Sequence, residues 1–236
     1  MDHSGSAPDR LGYPRVHLRV TDSTNLVARE LAASGAVHGT LVTARVQTAG
    51  RGRQGRDWHA PPGAALVCSW VLRDPPPLLS LAAGVATAEA CGQMAGVKWP
   101  NDVLIEGRKV AGILVEGRPQ EGWAVLGIGL NVALELSQLP DGVRERAATL
   151  GRASQDIEPL LQILCASLEH WLVVPVEAVL EGLRARDALC GRLVRWESGA
   201  GTAAGIDSRG RLLVARGDGS TVALDAGEVH LGSGQP

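Results

Sequence analysis

Apolar and polar residues alternate with a period of two over residues 15–20 (RVHLRV), the mark of a half-buried strand. Asp22-Ser23-Thr24 then precedes an Ala/Leu-rich stretch to about residue 33, so the segment reads as strand, turn and helix. Ser23, Thr24 and Asn25 stand where they can cap that helix, and its free N–H groups can also meet a ligand. Residues 39–46 form a second β-rich run. The glycine and arginine cluster at 50–56 and Pro61-Pro62-Gly63 follow it, which predicts a long loop between strands. Residues 64–72 are a third strand. Past the prolines at 75–77, residues 80–94 read as a helix of small residues, apolar on most sides and therefore buried. Residues 97–99, a hairpin of 103–105 with 110–115 turning at Glu106-Gly107-Arg108, and residues 123–132 supply further strands. Residues 143–187 read as helical, with Pro159 and Pro175 as interruptions or first-turn residues.

After about residue 189 the pattern changes to short strands and turns (GRLVRW, TAAGIDSRG, RLLVAR, TVAL, GEVHL), which predicts a small all-β barrel. Strands and helices alternate without βαβ regularity, so the fold class is α+β. The expected organisation is a disordered N-terminus at 1–14, a mixed β-sheet domain flanked by helices at 15–188, a barrel at 189–232 and a frayed SGQP tail.

Composition adds bounds. At 236 residues the chain can bury a substantial core, and with no Phe and one Tyr that core is expected to be Leu, Val, Ala and Trp. No run nears the roughly 18–20 apolar residues of a membrane span. The N-terminus lacks the basic patch and apolar stretch of an export signal, so a cytoplasmic protein is expected. Cys68, Cys91, Cys165 and Cys190 lie far apart with no CxxC pair and read as reduced core thiols rather than a zinc site. Lys plus Arg (23) nearly balance Asp plus Glu (25), and a net charge of −2 favours no nucleic acid.

The sharpest local feature is GRGRQGRDW, residues 50–58. Gly50 and Gly52 let backbone N–H groups approach an anion, and the guanidinium forks of Arg51, Arg53 and Arg56 suit phosphate or carboxylate. A solvated basic loop is the alternative. The same residues satisfy GxGxxG, but a dinucleotide fingerprint must open into a helix, and Pro61-Pro62 forbid one. No HRD or DFG follows to support a kinase loop. Lys98-Trp99-Pro100-Asn101-Asp102 puts a cation, an amide and a carboxylate at one turn. That set suits a nucleotide, or is an Asn-Asp turn beside a surface lysine. In Lys109-Val110-Ala111-Gly112-Ile113-Leu114 a glycine interrupts a strand, which marks a bulge or a close ligand. Lys109 there is either a cation that offsets charge in a transition state or an exposed hairpin lysine. Gly127-Ile128-Gly129-Leu130-Asn131-Val132 repeats the theme.

Taken in order, STN, QTAGRGRxGRxW, KWPNDV, KxxGIL and GxGxNV resemble the biotin protein ligase family, and the similarity runs over roughly residues 17–231. The resemblance implies a class II synthetase or lipoate-ligase-like catalytic fold with an SH3-like C-terminal domain. It also implies a two-step reaction: biotin and Mg·ATP give biotinyl-5′-AMP and pyrophosphate, and a lysine of a biotin carboxyl carrier protein then displaces AMP. By motif position, Ser23, Thr24, Asn25 and Gln47 would bind the biotin head, with Gly50, Gly52, Gly112 and Gly129 beside it. Arg51 and Arg53 would hold the carboxylate and α-phosphate, and Arg56 the leaving phosphates. Trp58 would stack or pack over the closed loop, and Lys98, Asn101 and Asn131 would contact the nucleotide. Lys109 would be the main catalytic cation, Arg53 would share that role, and Asp102 would assist the incoming amine. Mg²⁺ would arrive on the ATP phosphates, with no firm protein metal site.

The resemblance also implies a possible homodimer through an exposed sheet. The first strand begins too early for the DNA-binding winged helix of many members, so neither repression nor DNA binding is expected. Gly232 stands where the family often has an arginine reaching ATP. The rival enzyme is a lipoate or octanoyl ligase; an RNA-binding module is the non-enzymatic alternative, for which the barrel lacks stacking aromatics.

Overall fold

The computed structural model describes residues 10–225 and 227–232. A seven-stranded sheet is built from β1 (Arg15–Leu18), β2 (Leu41–Ala44), β3 (Ala65–Arg73), β4 (Ala95–Lys98), β5 (Asp102–Ile105), β6 (Arg108–Arg118) and β7 (Trp123–Asn131). Their spatial order is β1-β2-β3-β7-β6-β5-β4, with β1 parallel to β2 and the remaining pairs antiparallel. Helix α1 (Thr24–Ala33) seals one face through Ala28 and Ala32 against Val42, Val71 and Val125. The other face carries α2 (Leu79–Cys91), α4 (Ile157–Trp171) and α5 (Val176–Ala185). As its sequence predicts, α2 is buried almost all round, and its small residues let the sheet and α4 approach closely.

The last strands, β8 (Leu193–Trp196), β9 (Gly199–Ile206), β10 (Leu212–Ala215), β11 (Thr221–Leu224) and β12 (His230–Leu231), form a separate antiparallel sheet in the order β11-β10-β9-β8-β12. This is the expected α+β architecture, a mixed sheet flanked by helices followed by a small all-β unit. The two units share one core. Val194, Ala203, Ile206, Leu212 and Val214 belong to the same buried cluster as α2, α4 and the main sheet. The indole of Trp99, 2% exposed, donates to the Gly210 carbonyl at 3.0 Å, so the 98–102 turn is pinned to the barrel.

Three expectations need correction. Residues 10–14 are not disordered: Leu11 is buried and its N–H donates to Glu169 Oε1 at 3.0 Å, because an apolar anchor and a paired amide tie it down. The expectations for residues 1–9 and for the tail at 233–236 lie outside the described residues. Residues 143–187 are not continuously helical, since between α3 (Asp141–Arg144) and α4 the chain spends its hydrogen bonds on the sheet. Lys109 N donates to Arg146 O at 2.7 Å, Ala148 N to Lys109 O at 2.7 Å, and Leu150 N to Asn131 O at 3.0 Å. Of the four cysteines, Cys190 is exposed rather than in the core. Burial pushes the thiols of Cys91 and Cys165 up to about 12 and about 11, so both stay protonated.

Candidate active site

The loop between β2 and β3 folds as a small hairpin of its own. Arg51 and Asp57 form an antiparallel bridge, Trp58 N donates to Gly50 O at 2.8 Å, and Gly52 N to Arg56 O at 2.6 Å. A 3₁₀ turn at Arg53–Gly55 holds the tip, with Gln54 in the left-handed region at φ 56°. Folded this way, the loop roofs two adjoining cavities.

The inner cavity, about 120 Å³, is closed at one end by polar groups. Ser23, Thr24 and Asn25 at the start of α1 are buried, each no more than 4% exposed. Gln47 Oε1 accepts from Thr24 N at 2.7 Å and from Thr24 Oγ1 at 3.0 Å. Ser69, on β3, places its hydroxyl 2.9 Å from Thr24 Oγ1 and 2.6 Å from Asn25 Oδ1. Ser23 occupies the N-cap position but its side chain makes no capping hydrogen bond, so of the two uses read from STN it does not serve as a cap. Arg51, Gly52 and Arg53 line the loop side.

Gly112 and Gly129 face each other across β6 and β7 and form the floor. A methyl at Gly129 would fall 2.5 Å from Trp58 Cε2, so the indole packs there only over glycine, and one at Gly112 would fall a tight 3.2 Å from Trp58 Cζ3. Trp58 Nε1 is buried with no hydrogen-bond partner among the described residues, a donor held at the cavity wall.

The outer cavity, about 670 Å³, shares Arg56, Trp58 and Lys109 with the inner one and adds Lys98, Asp102 and Asn131. At the junction the register of β5 on β6 shifts: Val103 pairs with Ala111 but Leu104 with Lys109, leaving Val110 without a partner. Lys109 and Gly112 are three positions apart, which in a regular strand puts them on opposite faces. The bulge returns Lys109 to the face of Gly112 and of its cross-strand partner Asp102. Lys109 Nζ therefore lies 2.6 Å from Asp102 Oδ1 and 5.5 Å from the centre of the Trp58 ring, while Lys98 Nζ is 3.1 Å from Asp102 Oδ2. Burial raises the Asp102 carboxyl, but Lys109 and then Lys98 outweigh it and hold the group below the usual carboxylate range. Asp102 is thus ionised at neutral pH and suits orienting an amine better than removing a proton from a strongly basic one.

The structure brings together most residues singled out in the sequence and reassigns several. Lys109 is not an exposed hairpin lysine; it is partly buried and paired. Asn101 does not face the nucleotide-sized outer cavity. Its amide donates to Ile113 O at 2.9 Å and its Oδ1 accepts from Arg53 Nη1 at 3.0 Å, so it fixes an arginine of the inner cavity. Gly50 lines neither cavity; its carbonyl closes the loop against Trp58. Asn131 reaches the outer cavity with its amide donated to Ala148 O at 2.9 Å. Residues that sequence patterning missed are Ser69, Glu116, Arg146, Glu228 and His230. Glu228 pairs with Arg56, and His230 lines the outer cavity beside it. The barrel thus reaches the site, a contact no local pattern announces. Among the described residues no group of three or more His, Cys, Asp or Glu could hold a metal.

Comparison with known proteins bears on this geometry. Residues 17–132 match the model of the biotin/lipoate A/B protein ligase family, and residues 191–232 match that of the biotin protein ligase C-terminal domain. The biotin–[acetyl-CoA-carboxylase] ligase of Mycobacterium tuberculosis is 38% identical over 237 residues, covering 89% of this chain and 86% of that protein. The chain belongs to the biotin protein ligase family. The bifunctional ligase/repressor BirA of Bacillus subtilis is 39% identical over 162 residues, 64% of this chain and 50% of that protein; the chain spans about half the length of the Bacillus ligase/repressors it matches. A structure of the Aquifex aeolicus biotin protein ligase in complex with biotin and ATP superposes with a TM-score of 0.77 at 26% identity, covering 93% of this chain and 98% of that one. No helix of the described residues is long and apolar enough to cross a membrane.

Proposed function

We propose that this member of the biotin protein ligase family is an ATP-dependent ligase: biotin and Mg·ATP give biotinyl-5′-AMP and pyrophosphate, and the biotinoyl group passes to a lysine of a biotin carboxyl carrier protein. One observation carries the reading. Lys109 stands at the junction of a small cavity with a buried amide and hydroxyl end and a larger open cavity, with Arg56 lining both and Arg53 lining the inner one. A cyclic urea offers two N–H donors and a carbonyl, and so can add hydrogen bonds at the polar end, which a fatty acyl chain cannot. This favours biotin over lipoate or octanoate.

Each residue then has a task. Ser23, Thr24, Asn25 and Gln47 hold the head of biotin, and Gly112 and Gly129 give its ring room. Arg51 and Arg53 draw the carboxylate toward the α-phosphate, with Asn101 fixing Arg53. Two anions must approach each other, and Lys109 offsets the charge that builds as the carboxylate oxygen attacks phosphorus. Arg56 meets the departing pyrophosphate; Lys98 and Asn131 face the nucleotide. Trp58 keeps water from the mixed anhydride. In the second step Asp102 accepts a hydrogen bond from the incoming neutral amine and orients it at the acyl carbon; the C–N bond forms as the bond to the phosphate oxygen breaks, AMP departs and the amine's proton passes to solvent.

The same reading places residues 15–188 as the catalytic domain and 189–232 as its barrel, puts the reaction in the cytoplasm where ATP is available, and allows a homodimer through the exposed sheet. Supplying biotin, lipoate or octanoate with Mg·ATP and measuring pyrophosphate tests it. Release with biotin alone is expected; release only with a fatty acid overturns the assignment.

A further inference from the structure

Behind the polar end of the inner cavity stands a carboxylate that does not line it. Glu116, on β6, accepts from Asn25 Nδ2 through Oε2 at 3.0 Å, and its other oxygen lies 3.4 Å from Arg29 Nη1 and 3.8 Å from Arg51 Nη1. Asn25 and Arg29 are one turn apart on α1, whereas Arg51 comes from the basic loop. We propose that Glu116 is a positioning residue that fixes the amide of Asn25 and latches the basic loop through Arg51, so that recognition of the biotin head and closure of the loop are coupled. The inference rests on the biotin reading given above.

A carboxylate only accepts, so Glu116 dictates that Nδ2 of Asn25 turns toward it. Oδ1 must then turn to the Ser69 hydroxyl 2.6 Å away, against Gly127, where any side chain would collide with it. The amide therefore keeps one orientation before a ligand arrives, and no reorganisation is required at binding. The Arg51 contact is long and partly exposed, a class of pair worth at most about fivefold in an equilibrium. That weakness suits a latch, which must release. Arg29 shares the same carboxylate oxygen, so Glu116 keeps a cationic neighbour when Arg51 moves away.

The test compares wild type, Glu116→Gln and Glu116→Ala, each with Arg51 and with Arg51→Ala. The readouts are biotin dissociation rate, KM for biotin and kcat from pyrophosphate release, and Tm. Glu116→Gln retains an acceptor for Asn25 but loses the latch. Its biotin should leave about three- to fivefold faster and KM should rise, with kcat changed less than about twofold. Glu116→Ala should be worse, and the glutamine variant should recover part of that loss. With Arg51→Ala present, Glu116→Gln should add nothing to the dissociation rate. Independent, multiplying effects of the two changes, or a fall in Tm with unchanged biotin kinetics, overturn the latch. Wild type that releases no pyrophosphate with biotin instead overturns the underlying reading.

Discussion

Lys109 and Asp102 owe their pairing to one unpaired residue, Val110, and their roles separate under mutation. Lys109→Ala should lower the rate of adenylate formation by about 10²–10³, the usual cost of losing one preorganised charge at the reacting centre. Lys98 still faces Asp102, so Tm should fall by only about 2–4 °C. Single-turnover adenylation and a melting curve read the two effects. Asp102 also predicts an acid response. Its folded-state carboxyl sits below the usual 3.8 while the unfolded one does not, so its ionised form stabilises the fold above that range, and the contribution is lost as pH falls through the folded value. Urea midpoints measured from pH 6 down to pH 3 should decline less steeply in Asp102→Asn than in wild type; equal slopes count against the pairing. At this scale the sequence showed which residue types gather, since arginine, lysine and amide motifs are local. It did not show that Asn101 serves Arg53 or that Lys109 is half-covered, because both depend on the register between β5 and β6.

The roof over the two cavities is an element with its own hydrogen bonds, and its seat is defined by what β6 and β7 lack. Gly129→Ala should unseat the Trp58 ring while leaving the sheet intact, raising KM for biotin or ATP by on the order of tenfold, equivalent to about 1.4 kcal/mol. Steady-state kinetics with unchanged far-ultraviolet circular dichroism would show it; unaltered KM values would mean that the ring is free to sit elsewhere. Elements were read well where a single periodicity governed them, as in β3, α2 and β7. The failure at residues 145–156 has a physical cause: that stretch borrows the backbone partners of Lys109, Asn131 and Val132, and partners distant in sequence leave no periodic trace.

Across the whole molecule, the barrel and the main sheet are joined by buried apolar contact rather than by a hinge. Each fully buried Leu or Val at that seam contributes about 1.5–3 kcal/mol, so separating the units would expose several such side chains at once. Calorimetry should record one cooperative transition; two resolved peaks would contradict a shared core. The change of pattern near residue 189 was legible because strand lengths and turns shift there. The shared core was not, because hydrophobicity identifies what is buried but not against which neighbour. The pairing of Arg56 with Glu228 carries a consequence for the chain as it is made. Synthesis runs from the N-terminus, so residues 23–25 of the inner cavity leave the ribosome long before Glu228 and His230, which complete the outer cavity. A nascent chain can assemble the polar end of the inner cavity but not the complete outer one. The outer cavity is therefore completed only once the strands of the barrel have been made.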